Sequence, residues 1–251
     1  MDLKTKERFM GLWKKYFNGA QLPIVFYYTG REGVADLVKP PAGHRCVIAD
    51  LSKVRKGKSI SFDINSIGCG GGKRYFGFTE EIMPNFEYFL SYGIPGKLEG
   101  ERYKKTPGLV REAMKNLGQY RAPARYIVFK RWDTLDRFDD PVGVVFFAEA
   151  DILSGLFTLA NFDEPEPNGV FAPFASGCAS IVQYPYLQKD TNRPRGVLGL
   201  FDVSARPWVS ENILTFSVPI NRFHQMVDNM EESFLITGSW QKVRKRIGRR
   251  T

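Results

Sequence analysis

Apolar residues recur along this chain with two different periods, and the switches between them predict most of its elements. From Asp2 to Phe17, the residues Leu3, Phe9, Met10, Trp13, Tyr16 and Phe17 fall on one helical stripe, with Asp2 as cap and Gly19 as stop. Pro23 to Tyr28 is a continuous apolar run of strand length, ended by Thr29-Gly30. Cys46 to Val54 returns to helical spacing with Gly57 just past its last turn, which puts Cys46 at a helix start. Ser59 to Ile64 alternates polar and apolar as a half-buried strand does.

Beyond that strand the pattern predicts a helix over Glu80 to Leu90 and another opened by Thr106-Pro107 and stopped at Gly118. Two strands follow, Tyr126 to Arg131 and Val142 to Ala148, separated by Asp139-Asp140. Asp151 to Asn161 reads as a helix, and Asp163 to Gly169 as a loop and the best point for a break in the chain. Gly177 to Val182 opens a further helix, with Cys178 at its start. Val197 to Val203 and Asn212 to Val218 read as strands, and Asn221 to Phe234 as an amphipathic helix. The sequence itself shows no internal repeat. Helices and strands mix without strict alternation, which predicts an α+β fold with a mixed or largely antiparallel sheet and packed helices.

Composition changes this picture little. A length of 251 residues with 43% hydrophobic content is enough for a substantial core. The net charge of +9 suggests a polyanion partner until it is located. Lys242, Arg244, Lys245, Arg246, Arg249 and Arg250 carry six of the nine, so the body is only mildly basic. The expected organisation is a single domain over residues 1–240 with a basic tail over 241–251, and nucleic-acid binding is not favoured. No stretch has the length of a membrane span and the first residues do not form a signal core, so a cytoplasmic protein is expected. Three cysteines cannot all pair within one chain, which favours reduced thiols.

Chemistry is concentrated in Ser66 to Phe78, where Cys69 stands among Gly68, Gly70, Gly71 and Gly72 and the run ends in Lys73-Arg74. Glycines at this density let the backbone adopt positive φ or approach another group closely. Neither the Walker spacing nor the dinucleotide fingerprint is met. The residues leave two readings open. One is an anion nest of backbone N–H groups with Lys73 and Arg74, a binding module for an anionic small molecule or nucleotide without catalysis. The other is a metal centre ligated by thiolates, because Cys69 lies among glycines and Cys46 and Cys178 fall at predicted helix starts, where the dipole favours thiolate. A buried cysteine is more often simply a small hydrophobe. The spacings of 23 and 109 residues match no compact motif, so the fold must assemble any shared site. Zinc needs a fourth ligand, which His44 would offer; His224 sits inside an amphipathic helix, where a core or surface role is the ordinary one. Cys–His catalysis has no assignable orienting residue, and no Gly-x-Ser-x-Gly elbow occurs.

These residues also carry a family resemblance. His44-Arg45-Cys46-Val47-Ile48-Ala49, then Arg55-Lys56-Gly57-Lys58, then Cys69-Gly70-Gly71-Gly72 with Tyr75-Phe76-Gly77-Phe78, resemble the bacterial and archaeal family known as domain of unknown function 169. Ala175 to Ala179 is similar to the family's third cysteine region, and Asp202-Val203-Ser204-Ala205-Arg206 to its late Ser-Arg segment. Many relatives carry another cysteine near the position of Asp202, and this chain departs from them there. The resemblance implies no agreed activity. Together with the thiol contexts it leads to the expectation of a [4Fe–4S] cluster held by Cys46, Cys69 and Cys178, with the fourth iron open or bound by Asp202 and zinc as the alternative metal. Gly70, Gly71 and Gly72 would approach the cofactor and Lys73 and Arg74 would offset its charge, giving a redox or Lewis-acid role with a small anionic ligand or a redox partner.

Overall fold

Eight strands form one mixed sheet in the computed structural model, which describes residues 1–248. In chain order they are β1 (Ile24–Thr29), β2 (Asp36–Leu37), β3 (Ile60–Phe62), β4 (Tyr126–Arg131), β5 (Gly143–Ala148), β6 (Val170–Phe171), β7 (Gly196–Gly199) and β8 (Leu214–Pro219). Their spatial order is β2-β3-β4-β1-β5-β8-β7-β6. The central pairings are antiparallel, and the two outermost, β2 with β3 and β6 with β7, are parallel. The α+β class with a mixed sheet is the one the sequence predicts.

That order contains a repeat the sequence hides. Strands β1 to β4 lie in the order 2-3-4-1 from one edge inward, and β5 to β8 lie in the same relative order, 6-7-8-5, from the other edge. The halves meet antiparallel at β1 and β5, where Val25 faces Val144. From there the registers run in step. Val25 pairs with Lys130 as Val144 pairs with Val218, and Phe129 pairs with Ile60 as Ser217 pairs with Val197. Ile60 then pairs with Asp36 as Val197 pairs with Phe171. The sheet therefore has a pseudo-twofold axis between β1 and β5.

Alternation along the strands sends side chains to two faces. Val25, Val144, Phe146, Phe216 and Val218 face one core with α1 (Leu3–Tyr16), α6 (Ala150–Leu159), α8 (Ile220–Asn229) and α9 (Gly238–Ile247). Ile24, Phe26, Val145, Phe147, Ile127 and Phe129 face the other, with α2 (Val47–Arg55), α3 (Gly70–Tyr75) and a π-helix (Ala179–Gln183) that continues into α7 (Tyr184–Gln188). Two further helices, α4 (Phe86–Phe89) and α5 (Pro107–Lys115), lie between β3 and β4. Among the described residues no helix is long and apolar enough to cross a membrane.

Several boundaries differ from expectation for local reasons. The helix expected over Glu80 to Leu90 shrinks to α4, because Asn85 adopts the left-handed conformation at φ 62° and stops any helix entering from Pro84. The strand expected to reach Val203 ends at Gly199, because Leu200 has φ 67° and a 3-10 helix follows over Val203–Trp208. The glycine run, expected as a turn, is α3. The basic stretch expected as a tail is helical up to Ile247, with Trp240 and Ile247 buried. A Cβ on Gly155 of α6 would lie 2.5 Å from the Trp240 ring, so Gly155 makes room for α9 to dock. Trp240 also donates its indole N–H to the Tyr16 carbonyl at 2.9 Å. Arg249 and Arg250 lie outside the described residues. The 163–169 loop is pinned, since Asp163 and Glu164 pair with the buried Arg222.

Candidate functional site

Cys46 is the N-cap of α2, in extended backbone (φ −72°, ψ 126°), and the amides of Ile48 and Ala49 favour the charged form of its sulfur. Cys69 is the N-cap of α3, also extended (φ −131°, ψ 142°), and its Sγ accepts from the Gly72 N–H at 3.2 Å. The two segments are tied together, because the Arg45 N–H donates to the Gly68 carbonyl at 3.4 Å. Gly72 is required by the contact. A Cβ there would lie 2.8 Å from Ile67, 3.0 Å from the Cys69 sulfur and 3.1 Å from Val47. None of the four glycines beside Cys69 has positive φ, so turn geometry is not their use; close approach is the reason at Gly68, where a Cβ would lie 2.5 Å from Pro41, and at Gly72. Gly70 and Gly71 are different again. A Cβ on Gly70 would meet nothing within 4 Å, and one on Gly71 only the Tyr75 ring at 3.5 Å. Packing within the chain gives no reason for either, although each costs a helix about 1 kcal/mol relative to alanine.

Cys178 is buried and begins the π-helix, but its own backbone is already helical (φ −66°, ψ −33°) and its sulfur makes no cap bond. Ser176 performs that task. Its carbonyl accepts from the Ser180 N–H at 3.1 Å and its Oγ from the Ala179 N–H at 3.4 Å, while the same Oγ lies 3.3 Å from the Cys178 Sγ. Asp202 precedes the 3-10 helix in extended backbone. Its Oδ1 is buried with no hydrogen-bond partner in the protein, 3.4 Å from where a Cβ on Gly177 would sit, and its Oδ2 lies 3.5 Å from the Ser204 hydroxyl.

The fold brings these four groups within electrostatic range. Cys46 feels Cys69 and Asp202, and Cys178 feels Cys69, Cys46 and Asp202. Burial pushes the Cys46 and Cys178 thiols up and raises the Asp202 carboxyl, in each case as the leading cause, with the neighbouring negative groups adding to the thiol shifts. A cation placed among them would reverse this, because ligation deprotonates thiols outright. The chain supplies little positive charge of its own. Arg74 is buried and donates to the Glu80 carbonyl, Arg45 pairs with Asp50, and Arg206 donates to the carbonyls of Ile213, Ser210 and Glu211. The side chain of Lys73, half-buried in α3, has no hydrogen bond or ion pair among the described residues.

These residues fit the donor set of a metal–sulfur cluster: three thiols, two of them paired with a donor N–H or O–H, a buried carboxylate oxygen with no partner, and a Gly70 that faces open space. A single ion needs every donor about 2.0–2.3 Å from one point. Among the described residues no three His, Cys, Asp or Glu side chains are gathered so closely. His44 is exposed, and His224 lies on α8 against Phe223, on the opposite face of the sheet from the thiols. A Cys–His pair with His224 is thereby excluded.

The pseudo-twofold axis accounts for the composition of the site. Cys46 caps the helix between the parallel strands β2 and β3, and Cys178 begins the helix between the parallel strands β6 and β7. Cys69 caps the short helix after β3, and Asp202 caps the short helix after β7. The four residues are two equivalent pairs. Sequence reasoning named all four but missed Ser176, whose hydroxyl lies beside the Cys178 sulfur, and Tyr75, which is within electrostatic range of it. A serine two residues before a cysteine at a helix start is the signal that would have found the first.

No curated protein and no solved structure matches this chain. A family model does, over residues 20–229. The match takes in all eight strands and all four site residues and leaves out α1 and α9, which pack on each other through Tyr16, Phe17 and Trp240. The chain belongs to the DUF169 family, described as uncharacterised ArCR.

Proposed function

We propose that Cys46, Cys69 and Cys178 ligate a [4Fe–4S] cluster, with the Asp202 carboxylate on the fourth iron. The observation that carries this reading is the equivalence of the four positions: helix-starting residues, two from each half of a duplicated sheet, close enough that Cys46 and Cys178 feel one another, Cys69 and Asp202. When bound, such a group supplies an electron at low potential or one Lewis-acidic iron whose oxygen ligand is exchangeable. The chain's own contributions follow from the residues. The amides of Ile48, Ala49 and Gly72 stabilise negative charge on two of the sulfurs. The side chains of Val47 and Ile67 pack beside Cys69 and help exclude water. Asp202 holds the one oxygen donor, and Lys73 is the cation free to meet an anionic small molecule arriving there.

The anion-nest reading is less well supported, because Gly70 to Gly72 open the six-residue helix α3 in place of a nest and Arg74 is engaged elsewhere. The experiment is purification without oxygen, followed by a visible spectrum and a count of iron and sulfide. A brown protein with about four irons and four sulfides per chain is expected. A colourless protein carrying neither, even after anaerobic reconstitution, would end the proposal.

A further inference from the structure

The three candidate ligand sulfurs do not receive their hydrogen bonds in the same way. Cys46 and Cys69 are N-caps in extended backbone; Cys69 accepts from the Gly72 N–H, whereas the Cys46 sulfur makes no cap hydrogen bond and only feels the nearby amides of Ile48 and Ala49. Cys178 is already helical, so the geometry that lets an N-cap sulfur accept from the next turn is unavailable to it. Its donor is a side chain.

The direction of that bond follows from ligation. A serine hydroxyl has one proton and two lone pairs. The Ser176 oxygen accepts from the Ala179 N–H at 3.4 Å, which leaves its own proton to be placed. A sulfur that ligates a metal carries no proton, so a ligated Cys178 can only accept, and the Ser176 O–H, 3.3 Å away, is its donor.

We infer that Ser176 is a positioning residue that sets the reduction potential of the centre through its hydrogen bond to the Cys178 sulfur, an inference that rests on the cluster reading above. Hydrogen bonds to ligand sulfurs stabilise the more negative, reduced state and so raise the potential. The bond to Cys69 comes from the Gly72 backbone, whereas the bond to Cys178 comes from a side chain that substitution can remove.

The test is the midpoint potential of anaerobically loaded protein, with iron and sulfide counted in every sample. Ser176→Ala is expected to lower the potential and Ser176→Thr to return it toward the wild-type value, both at wild-type iron content. Ser176 also caps the π-helix, so Ser176→Gly, which a helix start tolerates better than alanine, decides the matter if the alanine variant does not fold. A loaded wild type whose potential is unmoved by both Ser176→Ala and Ser176→Gly, or is raised by them, overturns this inference alone. A wild type with no iron and no sulfide overturns the cluster reading, and this inference with it.

Discussion

The two halves of the sheet share one topology and differ in how they build the site. In the first half, both helix-starting positions are cysteines in extended backbone, the second with a main-chain donor, and the chain spends residues 63–125 between β3 and β4 on three helices and their loops. In the second half, the cysteine is already helical and takes its donor from Ser176, its counterpart is a carboxylate, and only residues 200–213 separate β7 from β8. The topology fixes where four ligating positions go; the side chains then decide what each half offers. The first half offers two thiols, and the second offers one thiol and one oxygen.

The largest expected effect comes from removing a thiol on either side. Cys46→Ser and Cys178→Ser occupy equivalent positions, so both should lower bound iron and sulfide by more than about tenfold while circular dichroism retains the wild-type fold. Loss of iron from only one of the two would break the equivalence. Next is Gly72→Ala, whose Cβ would intrude on Ile67, Val47 and the Cys69 sulfur. A destabilisation of about 1–3 kcal/mol in urea is expected, together with weaker iron retention. Gly177 plays the corresponding part beside Asp202, where an added Cβ would lie 2.8 Å from Leu200 and 3.4 Å from Oδ1.

Asp202→Cys should act in the opposite direction, restoring chemical symmetry between the halves. Four thiolates should slow loss of iron to a chelator and remove the exchangeable position, read as loss of any spectral change on adding a small carboxylate or cyanide. The smallest effect is expected from Gly70→Ala. Nothing in the chain opposes a methyl there, so the iron-free protein should gain up to about 1 kcal/mol in thermal or urea unfolding, whereas the loaded form should gain less or lose iron. Equal gains in both forms would mean that the open space beside Gly70 belongs to no cofactor.

Much of the fold was legible because period and punctuation agree. The apolar stripe of α1, the strand runs of β1, β4 and β5, and the Thr106-Pro107 start of α5 are read directly from residue type, since each is stabilised locally and by burial at once. The glycine run was not legible as a helix, because glycine has the poorest propensity of any residue but proline and only the tertiary setting of α3 overrides it. The repeat was invisible for another reason. It lies in hydrogen-bond registers, while the loops between equivalent strands differ in length and the paired residues differ in type, as Lys130 and Val218 do. All four candidate residues could be named from the sequence, but that they fall into two equivalent pairs required the sheet.

The central claim is that these four positions hold one cluster with three sulfur ligands and one oxygen ligand. The most direct measurement is the Mössbauer spectrum of anaerobically prepared protein loaded with isotopically enriched iron. The account predicts a [4Fe–4S] signal in which one iron differs from the other three, with that difference lost in Asp202→Cys. Iron without sulfide, or four equivalent irons in the wild type, would contradict it.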